Sequence, residues 1–451
     1  MSPPIHYHHS IDNFVVLAMH LPNRLVSPFL AILLLCTISI TAFAAPPNSR
    51  QLYERIRPSV VEVVTKNRTN LGVSSVASGF VTHRKDWVIT NYHAISDSIF
   101  EPDDHTLQIV SMDQGELKAE IVAVDIQNDL AILKVEQTLR VPLLELRETL
   151  PDRGESGYSM GKPGGYQHSI VTGTFNGVTD KTSTPLIIFS GAINGGMSGG
   201  PTLDAEGRVI GVNVATSTKY QLVGLVVPAE AVGQLIRSNT PQKLPSLDDL
   251  RKDIARQVSA FNQQIVMRFD LPTHSVRRLG PFQVRGDISR DQPCSAARKD
   301  TPNDHYKRVD QRCDSSTSLY ISDQQNAGHI VMGSFWFSSE KMSAHGLARL
   351  IEDQLTRLRN VKDNDGPTAS WNCTEQRLRG RFDLPIQLHA CRRAVEKLPG
   401  LFDYRFRYTP LVSGQDALLV AIGMSGFDDQ SARAILLKSM DSLSFTPKAK
   451  P

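Results

Sequence analysis

Between about Leu52 and Val227 the chain is a succession of short runs in which Val, Ile and Thr recur, separated by glycine and polar turns. They include SVVEVVTK, SGFVTH, TLQIVSM, ELKAEIVAVD, LAILKVE, SIVTGTFNGV, PLIIFSG and RVIGVNVA. β-branched residues in partial alternation predict strands with one covered face. No long stretch of helical period interrupts them, so the pattern predicts an all-β sandwich or barrel rather than βαβ units. The tetrapeptide DAEG, Asp204–Gly207, predicts a hairpin turn ahead of RVIGVNV. PAEAVGQLIRS, Pro228–Ser238, predicts a helix with Pro in its first turn.

The period changes after that helix. NTPQKLPS, Asn239–Ser246, is a polar, proline-bearing linker. Leu247, Leu250, Ile254, Val258, Phe261 and Ile265 then recur at steps of three and four, which predicts an amphipathic helix. From there to Pro451 the pattern is mixed α and β, and it reads as a diverged duplication. Each half has a cysteine pair, then strand-like runs such as HIVMGSFWF or ALLVAIGMSGF, then a helical run. DNDGPTAS, Asp363–Ser370, separates the halves. The expected division is therefore 45–238, a linker at 239–247, and an α+β region at 248–451.

At 451 residues, 40% hydrophobic and 21% charged, the chain is globular and long enough for two or three domains. A net charge of +3 gives no electrostatic case for nucleic acid or for an anionic membrane. Arg24 precedes LVSPFLAILLLCTISITAFA, which ends in Ala42-Phe43-Ala44 and is followed by prolines. This predicts a secretory signal peptide over 1–44, of more ordinary length if translation starts at Met19. The competing reading is a retained membrane anchor, since the run approaches spanning length. The small residues and prolines that end the run favour cleavage, and with it a periplasmic or secreted protein without stable membrane insertion. Cleavage removes Cys36 and leaves Cys294, Cys313, Cys373 and Cys391. Four cysteines in an exported chain predict two disulfides, and sequence-local pairing favours Cys294–Cys313 and Cys373–Cys391 over the other two connectivities.

Candidate chemistry begins at GAINGGMSGGP, Gly191–Pro201. A serine hydroxyl attacks a carbonyl only when an imidazole takes its proton, an acid fixes the imidazole tautomer, and donors await the oxyanion. Ser198 is the candidate nucleophile, with the N–H groups of Gly196 and Ser198 as oxyanion donors. His93, in WVITNYHAI, is the candidate base, because a strand running into a loop presents it. His83, His105, His168 and His274 have no such context. Asp129, in DIQNDLAILKV, is the candidate acid; Asp125 belongs to the turn itself.

SGFVTHRKDWVITNYHAI, AEIVAVDIQNDLAILKV, GAINGGMSGGPTLDAEGRVIGVNVA and LVGLVVPAEAV together resemble the trypsin-like serine peptidases, specifically the HtrA-type bacterial branch. The resemblance runs from about Leu52 to Arg237. It implies a chymotrypsin-like all-β double β-barrel with His93, Asp129 and Ser198 in the cleft. It also implies endopeptidase activity on polypeptide substrates, with no metal or organic cofactor. Ala192, six residues before Ser198, falls near the base of the S1 pocket and implies a small or medium apolar P1 residue. Val214, Ala215 and Thr216 fall on the edge strand that pairs with substrate. Several departures stand out. Met197 replaces the usual Asn before the serine, and Gly195-Gly196 replaces Pro-Gly, which loosens the oxyanion loop. Met197 also cannot form the ion pair by which digestive members are activated. Residues 248–451 do not resemble PDZ domains. A second reading is a peptidase-like module that binds protein without cutting it. GMSGG also satisfies the α/β-hydrolase elbow, but Pro201 blocks the helix that this elbow needs and the best histidine lies upstream.

Overall fold

The structure is a computed structural model. It describes residues 48–447, except 164–166, 180–183, 217–222, 240–242, 270–275, 289–293, 301–303, 316, 360–369, 381–382 and 413. The expected signal segment lies outside the described residues, as do the middle of the linker and most of DNDGPTAS.

Helix α1, Ser49–Ile56, leads into the first barrel and is capped by the Asn48 side chain on Gln51 N–H. The barrel strands are β1 Val60–Asn67, β2 Val73–Val81, β3 Trp87–Thr90, β4 His105–Ser111, β5 Gly115–Asp125 and β6 Leu130–Val135, with the single-turn helix α2, Asp97–Phe100, between β3 and β4. A second set follows: β7 Ser156–Gly161, β8 Ser169–Thr179, β9 Leu186–Phe189, β10 Pro201–Leu203, β11 Val209–Thr216 and β12 Gly224–Pro228. Each set closes into an antiparallel barrel. The first runs β1-β2-β3-β6-β5-β4 and the second β10-β11-β12-β9-β8-β7. Read in opposite senses, the two orders are the same topology, so this half is a chymotrypsin-like double barrel. DAEG forms the β10–β11 turn, with Gly207 at φ +85° and Asp204 Oδ1 accepting from Arg208 N.

β3 shows why an unbroken apolar run is needed here. All four residues of WVIT are buried. Val88 joins an apolar cluster with Val61 and Leu133, whereas Trp87 and Ile89 join a second with Met160 and Val212. Both faces of the strand are covered, one of them shared with the second barrel, so alternation disappears.

Helix α3, Ala229–Ser238, closes the second barrel, and helix α4, Leu247–Phe269, follows. The C-terminal strands are β13 Val276–Leu279, β14 Phe282–Arg285, β15 Ser295–Arg298, β16 Lys307–Asp314, β17 Leu319–Ser322, β18 Gln325–Ala327, β19 His329–Ser338, β20 Asn372–Arg379, β21 Pro385–Ala394, β22 Phe402–Pro410, β23 Asp416–Phe427 and β24 Ser444–Phe445. Helices α5, Ala344–Arg359, and α6, Asp429–Asp441, complete this α+β region. Its main sheet runs β15-β16-β19-β23-β22-β21-β20. From the central pair β19·β23 it extends outward to a cysteine-linked pair at each edge: Cys294, just before β15, bonds Cys313 on β16, and Cys373 on β20 bonds Cys391 on β21. A helix follows each central strand.

Helix α4 connects the two halves. Its buried stripe, Leu250, Ile254, Val258, Phe261 and Ile265, has the spacing of one helical face. That stripe belongs to one continuous apolar cluster with Val63 and Ile109 of the first barrel and with Leu418, Val420 and Ile422 of β23. The Gln257 side chain accepts from Ile126 N–H at 3.0 Å and donates to Val124 O at 2.8 Å. Pro47–Pro451 thus forms one compact unit. Among the described residues no helix is long and apolar enough to cross a membrane.

Candidate active site

β3 ends at Thr90, and the turn that follows carries Tyr92 and His93. The turn is fixed by Asp129, at the start of β6. The Asp129 carbonyl accepts from Tyr92 N–H at 3.2 Å and from Asn91 Nδ2 at 2.8 Å. Asp129 Oδ1 accepts from His93 N–H at 2.8 Å, and Oδ2 lies 2.6 Å from His93 Nδ1. A carboxylate only accepts, so the Nδ1 proton is held there and Nε2 is left as the basic nitrogen. Asp129 adopts φ +54°, a left-handed conformation that Asp tolerates better than most residues. Asp125 instead builds the preceding turn, accepting from the N–H groups of Gln127 and Asn128.

Burial is the largest influence on the His93 imidazolium and disfavours it. The Asp129 charge and hydrogen bond, together with the Asp323 charge, outweigh burial and raise the His93 pKa above its ordinary value.

Ser198 stands on a turn of the second barrel that is tied to the first. Ser78, buried on β2, donates its N–H to Ser198 O at 2.8 Å and its hydroxyl to Gly196 O at 2.7 Å. Gly199, at φ +81°, lies so close to β3 that a Cβ there would be 2.4 Å from Thr90 Oγ1 and 3.0 Å from Asn91 N. The serine turn is therefore packed against the segment that ends in His93. Among the described residues, His93 and Ser198 share no hydrogen bond. The Ser198 hydroxyl donates to Val214 O at 3.1 Å.

Gly196 takes φ +89°. Among the described residues, neither Gly196 N–H nor Ser198 N–H meets an acceptor within the protein. Met197 between them is fully buried with Phe175, Phe189, Ile193 and Val226, so an apolar anchor holds a loop whose glycines alone would be loose. Asn213 secures the turn from below. Its amide donates to Met160 O and Met197 O and accepts from Ser159 and Thr202 hydroxyls, and its backbone bonds Gly199 and Gly200. Ala192 is half-buried. Beside it, Ile193 packs where a Cβ on Gly224 would fall. Ala215 and Thr216 pair with Leu225 and Gly224 of β12, Val214 lies at the intervening bulge, and the β10 pairing stops at Val212. The other edge of Val214–Thr216 thus has no neighbouring strand among the described residues.

Residues 77–212 match the protein family described as "Trypsin-like peptidase domain". The "Probable periplasmic serine endoprotease DegP-like" of Pseudomonas putida (strain GB-1) is 31% identical over 179 residues, which cover 39% of this chain and 36% of that protein. The segment is a trypsin-like peptidase domain. "Protease Do-like 1, chloroplastic" of Arabidopsis thaliana is 29% identical to the chain over 262 residues, 48% of this chain and 57% of that protein. The chain therefore spans between about a third and three fifths of the length of these relatives. Among solved structures, the Rv3671c protease of M. tuberculosis in its active form aligns over 45% of this chain and 92% of that chain, at 22% identity and a TM-score of 0.39.

Sequence reasoning missed Ser78, Asn213 and Gln257 as supports of the trypsin-like domain, the Tyr320 ring against His93, and Asp323 bonded to Tyr320. Asn213 left a signal: a polar residue inside the apolar run VIGVNVA must be buried and therefore bonded.

Proposed function

We propose that the chain is a serine endopeptidase that hydrolyses peptide bonds in polypeptide substrates of the bacterial envelope. One observation carries the reading: His93 is oriented through Nδ1 by Asp129, next to a serine turn that presents two N–H groups without acceptors among the described residues. In the reaction, Ser198 Oγ turns from Val214 O to His93 Nε2, gives up its proton there and attacks the substrate carbonyl. Gly196 and Ser198 N–H groups receive the oxyanion. His93, now the acid, protonates the leaving amine, and water repeats the cycle on the acyl-enzyme. The apolar surroundings of Ala192 and Ile193 favour a small or medium apolar P1 residue, and Val214–Thr216 offer the substrate backbone a strand edge that has no neighbouring strand among the described residues. Export to the periplasm or beyond follows from the signal reading of residues 1–44 and from the four cysteines.

The alternative, a domain that binds protein without cutting, draws on the Ser198–Val214 hydrogen bond, which holds the hydroxyl away from the base. A serine-directed fluorophosphonate separates the two. The peptidase reading expects labelling of the folded protein that Ser198→Ala abolishes and His93→Ala sharply reduces. A folded wild type that neither labels nor cleaves a mixed peptide library overturns it.

A further inference from the structure

We infer that the C-terminal hairpin β17–β18 is a positioning element of the His93 side of the site, acting through Tyr320 and Asp323. The inference rests on the peptidase reading for its catalytic meaning.

Strand alternation produces the contact. Leu319 and Ile321 of β17 are buried in the apolar cluster shared with the first barrel, so Tyr320 and Ser322 face the other way. That side meets the turn after β3. Tyr92, itself fully buried, donates its hydroxyl to Ile321 O at 2.7 Å. The Tyr320 hydroxyl lies 3.2 Å from Ser96 Oγ and donates to Asp323 Oδ1 at 2.8 Å. Its ring stands edge-on to the His93 ring, with centroids 6.4 Å apart. Residues more than two hundred positions downstream thus wall one side of the candidate base.

Two physical effects follow. An aromatic wall removes imidazole orientations that turn Nε2 away from Ser198. The Asp323 carboxylate, held by the Tyr320 hydroxyl, also acts on His93 and favours its cationic form, the form His93 takes when it accepts the serine proton. The proton passes from Ser198 Oγ to His93 Nε2 and then to the leaving nitrogen, so nothing is consumed, and Asp129 and Asp323 both stabilise the intermediate cation. The charge of Asp323 reaches Asp97 as well, whose pKa is raised by burial first and by Asp323 second. Among the described residues, the titratable groups that act on His93 directly are Asp129 from the β5–β6 turn and Asp323 from the hairpin, with the Tyr320 ring edge-on to it, while Tyr92 and Asp97 act on those groups rather than on His93 itself.

The test has one readout that needs no turnover. In the full chain carrying Ser198→Ala, the His93 ring is titrated by NMR with and without Asp323→Asn. Loss of that charge is expected to lower the His93 midpoint. In the chain that keeps Ser198, Asp323→Asn is expected to shift the acid limb of kcat/KM to lower pH and to lower its plateau about two- to fivefold. Tyr320→Ala is expected to lower kcat about tenfold with KM nearly unchanged, and Tyr320→Phe, which keeps the ring, to recover most of the loss. Should Tyr320→Ala fail to fold, Asp323→Asn and Tyr320→Phe still decide. A folded Asp323→Asn chain whose His93 midpoint and acid limb match the wild type overturns the inference. A wild type that shows the coupled titration but neither labels nor cleaves overturns the peptidase reading and leaves the coupling standing.

Discussion

Asp129 commits both carboxylate oxygens to His93, one to its backbone N–H at 2.8 Å and one to Nδ1 at 2.6 Å. The same residue accepts from Tyr92 and Asn91 with its carbonyl. It therefore fixes the position of the turn and the tautomer of the ring together. Asp129→Asn replaces one acceptor by a donor and reverses the tautomer. The expected loss in kcat is about 10³- to 10⁴-fold with the melting temperature little changed. Ser198→Ala should cost as much or more. Single-turnover kinetics on a fluorogenic peptide, alongside thermal melts, check both.

The pH dependence has a definite sign. Because the His93 pKa is raised in the folded chain, the peptidase reading expects the base to be protonated, and activity to be lost, already at pH values somewhat above the ordinary imidazole value. The acid limb of kcat/KM should lie there. Stability runs the other way. The raised pKa contributes stability that is fully present below the unfolded imidazole pKa and fades as pH rises through the folded value. An acid limb at or below the value for free imidazole would contradict the first point. Thermal melts of wild type and His93→Ala across that window test the second.

Asn213 uses its amide on four partners in a site sealed from water. Asn213→Ala strands two hydroxyls and two carbonyls, and is expected to cost ~3 kcal/mol or more. Asn213→Asp cannot donate to Met160 O and Met197 O, so it should be no milder. A lower denaturant midpoint at constant m-value, with a reduced rate of fluorophosphonate labelling, is the expected pair of results.

The two disulfides should separate under reductant. Cys294 and Cys313 are 6% and 1% exposed inside the shared apolar cluster, whereas Cys373 lies on the exposed edge strand β20. Alkylation and mass spectrometry at rising dithiothreitol should find Cys373 and Cys391 modified first. Each bond closes a loop of similar length, 19 and 18 residues apart, so each should contribute about 3 kcal/mol through the unfolded chain. Replacing Cys294 and Cys313 by Ala should cost more, because their sulfur atoms also fill the core.

Much of the double barrel was legible because each strand carries its own mark. TLQIVSM alternates because one face is covered, and WVIT is uniformly apolar because both are. The candidate histidine, acid and serine stood out in the sequence for the same reason: each sits at a strand end or in a glycine-rich turn. Tyr320 was not legible. SLYISD reads as an ordinary strand, and its relation to His93 exists only because α4 and the C-terminal sheet pack on the first barrel. The direction of the Ser198 hydroxyl, which donates to Val214 O, is equally silent in sequence, since a side-chain rotamer is chosen by the neighbours of the folded turn.

A recognition module hung on a flexible arm can be cut away and the cutting half kept. Among the described residues no such seam parts the barrels from the C-terminal sheet, because Ile254 and Phe261 lie in the same interior as Ile109. A gene shortened to end before Leu247 would leave a greasy flank bare to water. Its product would meet the cell's quality control sooner than any substrate.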